Sequence, residues 1–102
     1  MGYMAFPVSR ALKKLGSNLK DARRRRRIKT ALMAERLGVT RRTLERMEQG
    51  APSVSMGTYA TAIYSLDPAK LECFASIFEN DALGQMVSDR ELPKRIRGAT
   101  RR

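Results

Sequence analysis

Apolar side chains recur along this chain at intervals that mark a succession of short helices. Leu12, Leu15, Leu19 and Ala22 fall at the three-four-three spacing of one buried stripe, which predicts a first helix capped by Ser9 and running to about Arg27. Leu32, Met33, Ala34 and Leu37 predict a second, ended by Gly38, the residue that takes a left-handed backbone without steric penalty. Thr40 then restarts helix, its hydroxyl placed to accept from the amide of Arg42 or Thr43. Ala34, Val39, Leu44 and Met47 are the inward positions of this pair, the small Ala34 letting the two helices approach closely. Gly50 terminates the third helix, and Pro52 prevents its resumption. Ser55 caps a fourth, Met56 to about Leu66, whose Tyr59, Ala60, Ile63 and Leu66 form the inward stripe. Asp67-Pro68 opens a fifth as a cap followed by proline at the first helical position. It carries Leu71, Phe74, Ala75 and Phe78 and closes at Glu79-Asn80-Asp81. A short ordered turn is expected around Leu83-Gly84 and Met86-Val87.

The pattern therefore predicts an all-α fold of five helices in one domain, residues 9–88. An apolar arm, residues 1–8, precedes it, and a basic tail, residues 89–102, follows. The arm contains Tyr3, Phe6 and Pro7 and is expected to pack, on its own domain, on a second copy or on another protein. The tail, with Leu92-Pro93-Lys94-Arg95-Ile96-Arg97, is either a solubilising extension or a segment that lies on a partner.

Charge sharpens this picture. Among 102 residues, 21 basic and 10 acidic side chains leave +11, the footprint of a polyanion binder. The first 29 residues hold ten basic groups against one acidic, whereas residues 67–92 hold two against six. With no histidine and one cysteine, most metal sites, Ser-His or Cys-His catalysis and an intramolecular disulfide fall away. No enzyme, no catalytic residue, no metal and no cofactor is expected. Neither a membrane span nor a secretion signal is visible, which predicts a cytoplasmic protein without a membrane partner. Cys73 is expected to be a small hydrophobe with no redox role.

The five arginines Arg23 to Arg27 wrap around more than a full turn, so they cannot all face one ligand. Cations at a helix C-terminus gain about 0.3–1 kcal/mol from its dipole, which accounts for part of the run. Phosphate contacts account for the rest, and an arginine-rich RNA binder is the alternative.

The stretch T-A-L-M-A-E-R-L-G-V-T-R-R-T-L-E-R-M-E-Q-G, Thr30 to Gly50, resembles the helix-turn-helix of the Cro/cI or XRE family of bacterial and phage regulators. Ala34, Gly38, Val39 and Leu44 stand at the family's small residue, turn glycine and two hydrophobes, and Glu48 is its glutamate before the final turn. Two positions depart. Thr30 replaces a usual glutamine, and Met47 replaces a frequent aromatic. The resemblance implies a lambda-repressor-like domain that places its recognition helix in the DNA major groove. Base reading then falls to Arg41, Arg42, Thr43, Glu45 and Arg46, with arginine forks suited to guanine. Glu45 accepts from a cytosine amino group or orients Arg41 or Arg46. Phosphate contacts fall to Arg23, Arg26, Arg27, Thr30, Thr40 and Ser53. A homodimer formed through Leu71, Phe74, Ala75 and Phe78 reads an inverted repeat with half-sites about 34 Å apart.

The arginine-rich first helix, S-V-S-M-G-T-Y-A and the late L-P-K-R-I-R also look like the small regulators found beside Hip-type kinase toxins. That likeness implies a HipB-like antitoxin, repressing its own operon and binding a HipA-like Ser/Thr kinase. A stand-alone phage-type or metabolic repressor is the alternative.

Overall fold

In the computed structural model, residues 4–87 are described, and they fold as six helices in chain order. α1 spans Phe6–Arg25, α2 Thr30–Leu37, α3 Arg41–Glu48, α4 Met56–Leu66, α5 Pro68–Ala75 and α6 Ala82–Val87. No strand occurs among the described residues.

The N-terminal boundary differs from expectation. Ala5, in extended conformation, is the cap of α1, and its carbonyl accepts from the amides of Val8 and Ser9 at 3.0 and 3.1 Å. Pro7 occupies the first turn, where its missing amide leaves no bond unmade. Ser9 therefore lies inside the helix rather than capping it, and Phe6 to Val8 are helical rather than an arm. Phe6 remains exposed, with the Arg10 guanidinium 5.8 Å from its ring centre.

The core forms where α1, α2, α3 and α4 meet. Leu19 of α1, Met33 and Ala34 of α2, Leu44 and Met47 of α3, and Tyr59 and Ala62 of α4 are buried together with Val54 of the α3–α4 loop. Val39 packs at its edge with Leu15, Ile28 and Ile63. The predicted inward residues of the second and third helices thus meet as expected. Met47 is fully buried, filling with a flexible thioether the place where an aromatic was the alternative.

One close approach was not anticipated. A Cβ on Gly16 would stand 2.6 Å from the carbonyl oxygen of Met47 and 2.8 Å from that of Glu48. One on Gly50 would stand 2.5 Å from the carbonyl oxygen of Leu12. Bare backbone on both sides lets the middle of α1 rest against the C-terminal end of α3.

At the C-terminal side the helices divide differently from the prediction. α5 stops at Ala75 with Ser76 as its cap, and a succession of turns separates it from α6. α6 stands where only a short ordered turn was expected, and the fifth helix ends before Phe78 instead of carrying it. The reason is that α5 buries no residue completely, so tertiary packing does not prolong it, and helices this short depend on packing. Leu71 and Phe74 are half-buried, Ala75 is exposed, and Phe78 lies off the helix altogether, 77% exposed. Cys73 is exposed as well. The predicted basic tail lies outside the described residues. Among the described residues, no helix is long and apolar enough to cross a membrane.

Candidate nucleic-acid interface

The α2–α3 unit is built by local chemistry that the sequence specifies. Gly38 takes φ +70° at the end of α2, and the Val39 amide reaches back to the Ala34 carbonyl at 3.0 Å. These are the bonds of a Schellman closure. Thr40 then caps α3, its hydroxyl oxygen accepting from the Thr43 amide at 3.1 Å while its O–H donates to the Thr43 hydroxyl at the same distance. α3 ends the same way, Gly50 at φ +78° and the Ala51 amide donating to the Arg46 carbonyl.

With Leu44, Met47 and Glu48 turned inward, α3 exposes Arg41, Arg42, Glu45 and Arg46, and Thr43 is half-exposed. These five predicted base readers differ in what already holds them. Arg41 sits 3.6 Å from the Glu45 carboxylate, an i,i+4 pair on an exposed face. Arg46 donates to the Ser53 hydroxyl, joining a predicted base reader to a predicted phosphate contact. Thr43 is engaged with Thr40. Arg42 alone among the three arginines of α3 makes no side-chain hydrogen bond or ion pair within the described residues.

The predicted phosphate contacts separate. Arg23 is the clear correction. It is buried, its Nε donates to Glu48 Oε2 at 2.7 Å, its Nη2 to Glu48 Oε1 at 3.2 Å, and its Nη1 to the Ile28 carbonyl at 2.8 Å. With three of its five N–H donors taken inside the protein and its side chain 8% exposed, this guanidinium is committed to the fold. Its work is to fasten the end of α1 to the end of α3 through a bidentate pair. Glu48, matched in sequence only as a motif position, is the other half of that fastening. Both lie on apolar stripes, Arg23 four residues after Leu19 and Glu48 four after Leu44, and that register is the signal that marks them.

Arg26 is exposed but donates from Nη1 to the carbonyl of Ala22 and borders a groove between α1 and the α4–α5 pair, not the face of α3. Arg27, at φ +55°, is the left-handed residue that closes α1. The Ile28 amide donates to the Arg23 carbonyl and that of Arg27 to the Arg24 carbonyl, with arginine where glycine is usual.

Thr30 is the first residue of α2, whose cap, Lys29, provides no side-chain acceptor. The opening amides of α2 are thus left without a side-chain partner, the condition in which a helix start favours an anion. Thr30 borders a cleft of about 280 Å³ together with Lys20 of α1 and Glu45 and Gln49 of the α3 end. Lys20 and Gln49, which the sequence reading passed over, border the same cleft. Thr40 and Ser53 are exposed.

Tyr59, read from the sequence as core, is buried, and its hydroxyl donates to the Ala51 carbonyl at 2.7 Å. That bond pins the α3–α4 loop on which Ser53 is carried. Burial also pushes the phenol's pKa above its ordinary value of 10.0.

Residues 14–69, more than half of the chain, match a family described as a helix-turn-helix domain. No curated protein and no solved structure matches the chain.

Proposed function

The chain belongs to the helix-turn-helix domain family, and from that premise we propose that it is a sequence-specific DNA-binding transcription regulator acting as a homodimer on an inverted repeat. The observation that carries this reading is the exposed face of α3, where Arg42, at the first turn of a helix anchored by Leu44 and Met47, has no side-chain partner among the described residues. Arg42 reads a guanine edge, Arg41 and Glu45 act as an oriented pair, and Arg46 works with Ser53 at the boundary of base and backbone. Thr43 lends its methyl or hydroxyl to the same groove. Arg27, Thr30 and Thr40 hold phosphates and fix register.

Arg42→Ala should relax preference at one operator position by about 1–3 kcal/mol. Arg27→Ala should weaken all sequences alike and lower the salt slope by about one ion. Salt titrations against operator variants separate the two. Equal loss on every variant for Arg42→Ala removes it from base reading.

Dimerisation through Leu71, Phe74, Ala75 and Phe78, with the turns that follow, brings two recognition helices together. The finer reading, supported by sequence resemblance alone, is a HipB-like antitoxin that represses its own operon and binds a HipA-like Ser/Thr kinase. Co-purification of a kinase encoded by the adjacent reading frame sustains it. An operator-binding dimer that captures no such kinase is instead a stand-alone repressor.

A further inference from the structure

Two surfaces of the described chain are both apolar and carry opposite charge. The first is a groove of about 660 Å³ between α1 and the α4–α5 pair, lined by Leu19, Ala22, Ile63, Leu66 and Phe74. Arg25 and Arg26 stand along it, and neither has a carboxylate partner among the described residues. Lys70 also borders the groove, but Asp67, 3.6 Å away, answers its charge. The second surface is the segment from residue 77 to residue 86, which exposes Ile77, Phe78, Leu83 and Met86, each by two thirds or more. Its Glu79 is exposed and unpaired among the described residues, whereas Asp81 is occupied in accepting from the Gly84 amide.

The segment's apolar side chains are exposed on its own chain, so they do not fill its own groove. Acidic and apolar, it is no ligand for DNA. Because groove and segment belong to the same chain, a two-fold axis buries both at once, each copy giving what the other receives. We propose that in the dimer the 77–86 segment of each copy seats in the α1–α4–α5 groove of the other, with Glu79 facing Arg25 and Arg26. This rests on the homodimer reading and assigns its interface.

Cys73 borders the groove and is the chain's single cysteine, so it reports occupancy. The full chain is titrated by sedimentation equilibrium, and Cys73 alkylation by a maleimide is timed across the same concentrations. Alkylation should slow at least about tenfold as the dimer forms. Met86→Asp, at a side chain 80% exposed and outside the core, should weaken association. Arg25→Glu and Glu79→Arg should each weaken it by about tenfold or more, and the double variant should recover most of the loss. A dimer in which Cys73 reacts at the monomer rate and the charge exchange restores nothing overturns the assignment while leaving the homodimer intact. A chain monomeric at every concentration and on operator DNA overturns both. Protection that ignores dilution and vanishes when residues 88–102 are deleted places the chain's own tail in the groove and overturns the proposal.

Discussion

Glu48→Ala isolates the contact that orients the recognition helix. The side chains of Arg23 and Glu48 are 8% and 6% exposed, and Glu48 accepts from both Nε and Nη2. Truncating the acid takes the protein acceptor from two donors of a permanently charged and largely buried group. Breaking a buried pair in this way costs about 3–5 kcal/mol, against a total of about 5–15 for a domain of this kind. In urea, at a slope of about 1–1.5 kcal/mol per molar, the midpoint should fall by roughly 2–5 M. The paired variant Arg23→Met with Glu48→Leu removes both charges together and replaces them with apolar bulk. It should recover most of the loss, keeping a deficit of about 1 kcal/mol because the Ile28 carbonyl loses its donor. The double variant also tests the assignment of Arg23 away from phosphate. Its salt slope for DNA should equal that of the parent. A loss under about 1 kcal/mol for Glu48→Ala would refute the buried pair, and a slope reduced by about one ion would return Arg23 to the DNA.

Gly38→Ala places a side chain at φ +70° with open space around it, so it should cost only the left-handed penalty, about 1–2 kcal/mol. Gly16→Ala meets three backbone atoms within 2.8 Å, and its fall in Tm should exceed that of Gly38→Ala. Equal falls would mean that α1 yields easily. Arg27→Gly relieves a non-glycine left-handed residue and should raise Tm by a few degrees, for about 1 kcal/mol in a domain of this size. Tyr59→Phe loses the bond to Ala51, worth about 1 kcal/mol. Since burial raises the folded-state pKa of Tyr59, its stabilising effect is whole below 10.0 and declines as pH rises through the folded value. Urea midpoints between about pH 9 and 11 should fall less steeply for Tyr59→Phe than for the parent.

The parts of this fold that sequence made legible are those decided within a few residues. Thr40, Ser55 and Asp67 cap the helices they were expected to cap, and Gly38 and Gly50 turn where expected, because a cap or a left-handed turn is local chemistry. What escaped depends on partners far along the chain. Arg23 and Glu48 are 25 residues apart, and within five identical arginines composition gives no reason to choose one. Register does. Counting from Leu15 and Leu19 on α1, the next inward position is residue 23; counting from Leu44 on α3, it is residue 48. Opposite charges on two apolar stripes announce a buried pair, just as a mid-helix glycine, which costs about 1 kcal/mol relative to alanine, announces close packing at Gly16. The arginine run then divides by position. Arg23 fastens α3, Arg25 and Arg26 border the groove, and Arg27 closes the helix. The direction in which α3 presents Arg42 is consequently set by α1 as much as by the turn at Gly38, since Gly16 fixes how near the two helices lie and Arg23 how they are joined.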